Sequence, residues 1–301
     1  MTNDSAAPST LTPTERHSLA ALLELAIRED LGRVGDVTSL ATIPADAAGK
    51  AAFVARQAGC LAGVPMIAMV LQRFDPELKF KPLLADGAAL AGGHWIGTVE
   101  GSMRSILAAE RTALNFVQHL SGVASRTRQF VEAIAGTKAQ ILDTRKTLPA
   151  WRLLDKYAVR AGGGTNHRIG LYDGVLIKDN HLAAMRKAEG GRRNEIEDSV
   201  QRCREAYPDL PIEIEVDSLE QFERALACGP AIVLLDNMTL DDLRTAVGRR
   251  DAFAPQARLE ASGGVTLDTV RAIAETGVDR ISVGGITHSA PALDIALDYL
   301  E

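Results

Sequence analysis

Arg145, Lys146, His167, Arg168 and Lys178 all fall between Asp143 and His181 in a chain whose formal net charge is −6. The segment reads DTRKTLPAWRLLDKYAVRAGGGTNHRIGLYDGVLIKDNH, and four of these five cations stand beside apolar runs or glycines. Any one of them alone would read as a solvated surface charge. Grouped on short loops, fixed cations focus field on an anion. Guanidinium forks match carboxylate and phosphate geometry, and ammonium groups act as point charges. The pattern therefore points to a small ligand with several negative charges.

Such residues need a scaffold that brings distant loops together. Six short apolar runs supply one: Ala139–Leu142, Gly174–Ile177, Ile212–Val216, Ala231–Leu235, Arg258–Ala261 and Arg280–Val283. Helix signals lie between them. Ser218 with Gln221 forms a capping-box pattern, Gly229-Pro230 stops that helix, Thr239 and Thr266 suit N-caps, and Gly277 suits the residue after a helix. Strands alternating with helices indicate parallel βα units. Each run ends in a polar residue or glycine: Asp143/Arg145, Lys178, Glu215, Asp236, Ser262 and Gly284. A βα barrel builds its active site from those edges. The period of two puts Glu213 with Glu215 on one strand face, and Glu260 with Ser262 on another. The expected fold class is α/β: an incomplete parallel βα barrel of six or seven strands, preceded by an N-terminal α+β sandwich domain. A doubly wound open sheet is the alternative that the same runs allow.

The front of the chain differs in texture. Residues 1–13 are rich in Ser, Thr and Pro and read as disordered. A helix is expected from near Thr14, and Gly35–Ser39 breaks it. Strands are expected at Lys50–Arg56, Lys79–Pro82 and His94–Gly101, followed by a long helical region over Ser105–Ala135 interrupted near Ser121-Gly122. The expected division is an N-terminal domain over 14–121, joined by a C-terminal helix at 290–301, and a barrel over 122–289.

Bulk properties narrow the function. An apolar content of 46% and a charged content of 24% describe an ordinary globular protein. The acidic balance argues against nucleic-acid binding. Cys60, Cys203 and Cys228 are scattered without CxxC spacing, which argues against a disulfide framework or a thiolate zinc site. No HxxxH or HExxH spacing occurs. His17, His94, His119 and His181 gain little from their contexts. The first residues carry no apolar signal region, and the longest apolar stretch, near Leu61–Leu71, is too short for a membrane span. A cytoplasmic enzyme is expected.

The strings ERTALNF, LSGVAS, DTRKTLP, KYAV, GGGTNHRIGLYDGVLIKDNH, IEIEVDS, LLDNM, EASGG and VGGITHSAPALD occur in order from about Glu15 to the C-terminus. Together they resemble the quinolinate phosphoribosyltransferase family, type II phosphoribosyltransferases of NAD biosynthesis. That resemblance implies transfer of phosphoribosyl from phosphoribosyl pyrophosphate to quinolinate, with release of pyrophosphate and carbon dioxide. Both substrates are polyanions, in keeping with the cation cluster. It implies that Arg145 and Arg168 clamp the dicarboxylate beside His167. It places Lys146 and Lys178 near the pyrophosphate and the reacting centre, with Thr144 on the same loop. Glu215 and Asp236 are assigned to the ribose hydroxyls and to Mg²⁺ held through the substrate; alone, either acid would also read as a helix cap or a barrel ion pair. Ser262, Gly263 and Gly264, with Val283, Gly284 and Gly285, are assigned to phosphate, as glycines let backbone N–H groups approach an anion. His288 either joins them or caps the last helix from beside Ser289.

Arg111 lies on the row Leu107, Arg111, Leu114, where a charge is costly unless paired or bound. The resemblance implies a homodimer in which Arg111 reaches the partner's site; a snorkelling side chain or a pair with Glu110 is the local alternative. The sequence departs from the family pattern at Gly285, where Ala is usual, and at Ala150 and Trp151, where Gly and an aliphatic or aromatic residue are frequent. Two rival functions share these features: a transport-associated paralogue of the same fold, and a phosphate-binding barrel aldolase using Lys178 as Schiff-base nucleophile.

Overall fold

The computed structural model describes residues 11–188 and 194–300. Residues 1–10, within the segment read as disordered, lie outside the described residues. Thr12 and Pro13 are ordered: Thr12 accepts the Glu15 N–H while Glu15 accepts the Thr12 N–H, and Pro13 opens the first helix. In chain order the elements are α1 (Pro13–Leu31), α2 (Val37–Thr42), β1 (Ala48–Ala55), β2 (Gly59–Cys60), α3 (Val64–Phe74), β3 (Lys79–Pro82), β4 (Ala89–Leu90), β5 (Trp95–Ser102) and α4 (Met103–Ala133). Then follow β6 (Gln140–Leu142), α5 (Arg152–Ala161), β7 (Val175–Ile177), α6 (Asp179–Ala188), α7 (Glu195–Ala206), β8 (Ile212–Val216) and α8 (Leu219–Ala227). The chain ends with β9 (Ile232–Asp236), α9 (Leu240–Phe253), β10 (Arg258–Ser262), α10 (Leu267–Ala274), β11 (Arg280–Ser282), α11 (Gly285–His288) and β12 (Ile295–Leu300).

The chain divides into two compact units. One comprises residues 1–128, 146–164 and 285–301; the other comprises 129–145 and 165–284. The division falls within α4 and assigns α5 to the first unit, where the sequence suggested one boundary near residue 121.

In the first unit, β12-β1-β5-β3 form an antiparallel sheet. The C-terminal segment expected as a helix is strand β12, paired with β1 from Lys50↔Leu300 to Ala55↔Ile295. Its Ala and Leu content favours a helix in isolation, but the register with β1 satisfies a whole ladder of backbone groups. The second expectation to fail is the break in α4, which runs unbroken through Ser121 and Gly122. Ser121 Oγ donates to Ala62 O and accepts from Ala62 N, so this polar residue is satisfied while fully buried. Gly122 is there for closeness: a Cβ would sit 2.1 Å from Pro291 O. Gly63 caps α3 without a side chain of its own, and Asp86 replaces it by accepting from Gly63 N, Val64 N and the Tyr157 hydroxyl.

In the second unit the six apolar runs are the six strands, all parallel, in the order β6-β11-β10-β9-β8-β7. Positions on the face opposite Glu213 and Glu260, such as Ile214, Val233, Leu235, Leu259 and Ile281, are fully buried. The order leaves β6 and β7 at the two edges, so the barrel is incomplete. A parallel bridge between Leu142 and Thr165 lays the segment after α5 alongside β6. Thr239 and Ser218 cap α9 and α8, as their patterns suggest.

Gly122→Ala is expected to destabilise the chain by roughly 1–3 kcal/mol, because the Pro291 carbonyl is backbone and must shift to admit a methyl group. The midpoint of urea unfolding measures it; an unchanged midpoint contradicts the close approach.

Candidate active site

The C-terminal ends of the parallel strands carry most of the residues singled out from the sequence. β7, β8, β9 and β10 are consecutive neighbours, and their ends present Lys178, Glu215, Asp236 and Ser262. Lys178 Nζ forms an ion pair with Glu215 Oε2. Asp236 pairs in register with Ser262, and its carboxylate accepts from Asn237 Nδ2 at 2.7 Å. Asn237 has φ 53°, which lets its N–H reach Ser262 O at 2.9 Å. Gly263, at φ 94°, lies so close that a Cβ would meet Asn237 Oδ1 at 2.2 Å. Asp236 and the Ser262-Gly263-Gly264 turn therefore form one locked corner.

β6 and β11 are joined in register, with Val283 N–H donating to Leu142 O at 2.9 Å. This places Val283-Gly284 beside the strand that delivers Asp143, Thr144 and Arg145. Asp143 is fully buried and organises the neighbouring loop: Oδ1 accepts from His167 N at 2.8 Å and Oδ2 from Asn166 Nδ2 at 2.7 Å. Arg168 follows directly, with Nη1 donating to Gly174 O at 2.9 Å. Burial lowers the pKa of the Arg168 guanidinium, and the like charge of Arg145 lowers it further. The two guanidiniums are thus held close enough to repel one another while partly desolvated. An anion relieves both penalties.

His167 faces the floor of the sheet. Nε2 lies 3.0 Å from Glu213 and 3.3 Å from Glu260, both buried, and Glu260 pairs with Arg280 at 2.9 Å across the β10–β11 register. Burial alone would push the imidazolium down, but the two carboxylates outweigh it and raise it to about 9. One contact opposes this, since Nδ1 accepts the Arg168 N–H at 2.7 Å and a second proton would forfeit that bond. A neutral hydrogen bond is worth about 1 kcal/mol and charge-assisted ones roughly twice that. The two glutamates, Arg280 and His167 also sum to zero only when the ring is charged. We therefore assign the imidazolium. His167, Glu213 and Glu260 have donor atoms close enough for a metal. A protonated ring, and the Arg280 guanidinium on Glu260, describe an ion-pair network instead.

The remaining predicted residues belong to the first unit. Lys146 is exposed, and its carbonyl accepts from Thr287 Oγ1 at 2.6 Å. Gly285 opens α11; a Cβ there would meet nothing within 4 Å, so glycine is not sterically required. His288 is exposed and contacts Ser289 Oγ at 2.5 Å. Arg111 is exposed, and it has no ion pair among the described residues, with Glu110 or any other acid. With Glu29, Asp30, Phe116 and Trp151 it lines a cavity of about 330 Å³. The reading of His119 needs correction: Nε2 lies 2.7 Å from the fully buried Asp155. The contacts of His167 with Glu213 and Glu260, and the His119–Asp155 pair, were not read from the sequence. The signal for the first was present, because Glu213 and Glu260 stand on inward strand positions.

The strands define an incomplete parallel βα barrel, and the chain also carries an antiparallel sheet domain. Residues 36–121 match the family described as quinolinate phosphoribosyl transferase, N-terminal domain, and residues 123–298 match its C-terminal domain. The chain belongs to this family. It is 46% identical over 275 residues to the nicotinate-nucleotide pyrophosphorylase [carboxylating] of Mycobacterium leprae, covering 91% of this chain and 94% of that one. The solved nicotinate-nucleotide pyrophosphorylase of Francisella tularensis superposes with a TM-score of 0.87 at 35% identity, over 97% and 98% of the two chains. NadC of Streptococcus pyogenes gives 0.88 at 37% identity, over 98% and 100%.

His167 is expected to titrate near 9 by NMR, and Glu213→Gln to bring it down. Since its folded value exceeds the ordinary 6.5, the stabilisation is complete below pH 6.5 and is lost as pH rises through about 9. Unfolding free energy should fall across that window by on the order of 3 kcal/mol, and by less in Glu213→Gln. A ring titrating near 6.5 would contradict the assignment.

Proposed function

We propose that this chain is a pentosyltransferase of NAD biosynthesis that joins quinolinate to phosphoribosyl pyrophosphate, giving nicotinate mononucleotide, pyrophosphate and carbon dioxide. The observation that supports the reading is that Arg145 follows the β6 end, that Arg168 lies on the loop held by the buried Asp143, and that the charge of Arg145 is near enough to add to the burial that lowers the Arg168 pKa. A ligand with two adjacent carboxylates satisfies both forks, and quinolinate is such a ligand. His167 supports the pair from beneath. Its Nε2 already engages Glu213 and Glu260, so it acts on the dicarboxylate through charge.

Lys146, Thr144, the Ser262-Gly263-Gly264 turn, Val283-Gly284-Gly285 and His288 take the phosphates of the second substrate. Glu215 and Asp236, on neighbouring strands, address the ribose hydroxyls and stabilise positive charge that develops at the anomeric carbon. Their donor set suits Mg²⁺, which is commonly held by one or two carboxylates plus phosphate oxygens and would neutralise charge on the departing pyrophosphate. Lys178, paired with Glu215, offers its ammonium to the reacting centre. A Schiff-base lysine needs a neutral amine, so the ion pair speaks against the aldolase reading. The exposure of Arg111 supports a homodimer in which its guanidinium completes the partner's site. No helix among the described residues is long and apolar enough to cross a membrane. With three free cysteines, this fits the proposed cytoplasmic location.

Quinolinate should be turned over and nicotinate, with one carboxylate, should not. Arg145→Ala and Arg168→Ala should each lower kcat/KM for quinolinate by roughly 30- to 1000-fold, corresponding to about 2–4 kcal/mol. Pyrophosphate release measures both effects, and equal rates with the two acids would overturn the assignment.

Activity should vanish in excess chelator and return with Mg²⁺ or Mn²⁺, while quinolinate still binds, since its partners are arginines. Full transfer in excess chelator would refute the role given to Glu215 and Asp236.

A further inference from the structure

Trp151 sits at the end of the loop that carries Lys146, and three features of the first unit fix it. Its ring stacks on Phe116 of α4 at 4.9 Å and an interplanar angle of 23°. The His119 ring meets it edge-on at 5.0 Å and 81°. His119 is itself tied to the buried carboxylate of Asp155, one turn into the helix that Trp151 begins. At the other end of the loop, Thr287 Oγ1 donates to Lys146 O. Between the two anchors Ala150 is forced to φ 66°. A left-handed conformation is unfavourable for a residue with a Cβ and persists only where its surroundings over-determine it. Removing the Trp151 anchor would let Ala150 relax to negative φ, which re-aims the peptide leading back to Lys146.

We propose that Trp151, seated against Phe116 and His119, is a positioning residue that sets the pose of Lys146 for the phosphate-bearing substrate. Asp155 secures the seat through His119, and the strain at Ala150 makes the loop pose depend on it. The inference rests on the reading of Lys146 as a phosphate contact.

A double-mutant cycle tests it on the full-length protein. Trp151→Ala should raise KM for phosphoribosyl pyrophosphate at least tenfold, with the Kd for quinolinate within about twofold of the parent. Trp151→Phe, which keeps the stack on Phe116, should recover most of the loss. His119→Gln, which can keep a hydrogen bond to Asp155 but removes the ring edge, should move KM in the same direction by less, and serves if Trp151→Ala does not fold. In a Lys146→Ala background, Trp151→Ala and His119→Gln should each add less than about twofold, because a residue acting through Lys146 has nothing left to position. An equal penalty in both backgrounds, or no change in KM from either variant, would overturn the inference and leave the role of Lys146 standing. An unchanged KM in Lys146→Ala alone would overturn both.

Discussion

The second unit depends on buried acids that hold the loops carrying its cations, among them Arg168, whose pKa is lowered by burial and by the like charge of Arg145. Asp143 fixes the backbone of His167 and the side chain of Asn166, and Glu213 and Glu260 fix the His167 ring. The resulting layer of acids lies under a layer of cations. Its members are buried, so their fields are weakly screened, and each has a partner, so their burial is tolerable.

Strand parity builds this double layer from few residues. On β8, Glu213 meets His167 while Glu215, two residues on, meets Lys178. On β10, Glu260 meets His167 and Arg280 while Ser262 stands in register with Asp236. In each case the second residue stands at the C-terminal edge of the strand and the first lies two residues deeper. A period of two puts both on one face at different heights, so a single strand supplies a buried support and an edge residue together.

Much of this was legible in the sequence. The six βα strands announced themselves as apolar runs with polar ends, and the cation loops stood out against an acidic chain. What escaped depended on contacts distant in sequence. The segment after Pro291 has helical composition and becomes a strand only because β1 offers an edge. Ser121-Gly122 reads as a break until Ala62 and Pro291 are seen pressing on the two residues. The seat of Trp151 joins residues from α4 and α5, and neither segment signals the other. Glu213 and Glu260 were visible as inward-facing acids, but their partner was not, because His167 lies on a loop without strand or helix periodicity.

The pairing of β12 with β1 also bears on how the chain comes to be folded. β1 is central in its sheet, flanked by β5 and by the last strand of the chain. During synthesis one flank can be covered early, since β5 and α4 follow soon after β1. The other flank must wait until residues 295–300 have emerged, after all the strands of the second unit. Meanwhile β1 presents an open row of backbone donors and acceptors beside Phe53 and Val54, the kind of edge that recruits wrong partners. The first unit is therefore begun first and finished last, and any truncation before residue 295 leaves its central strand uncovered.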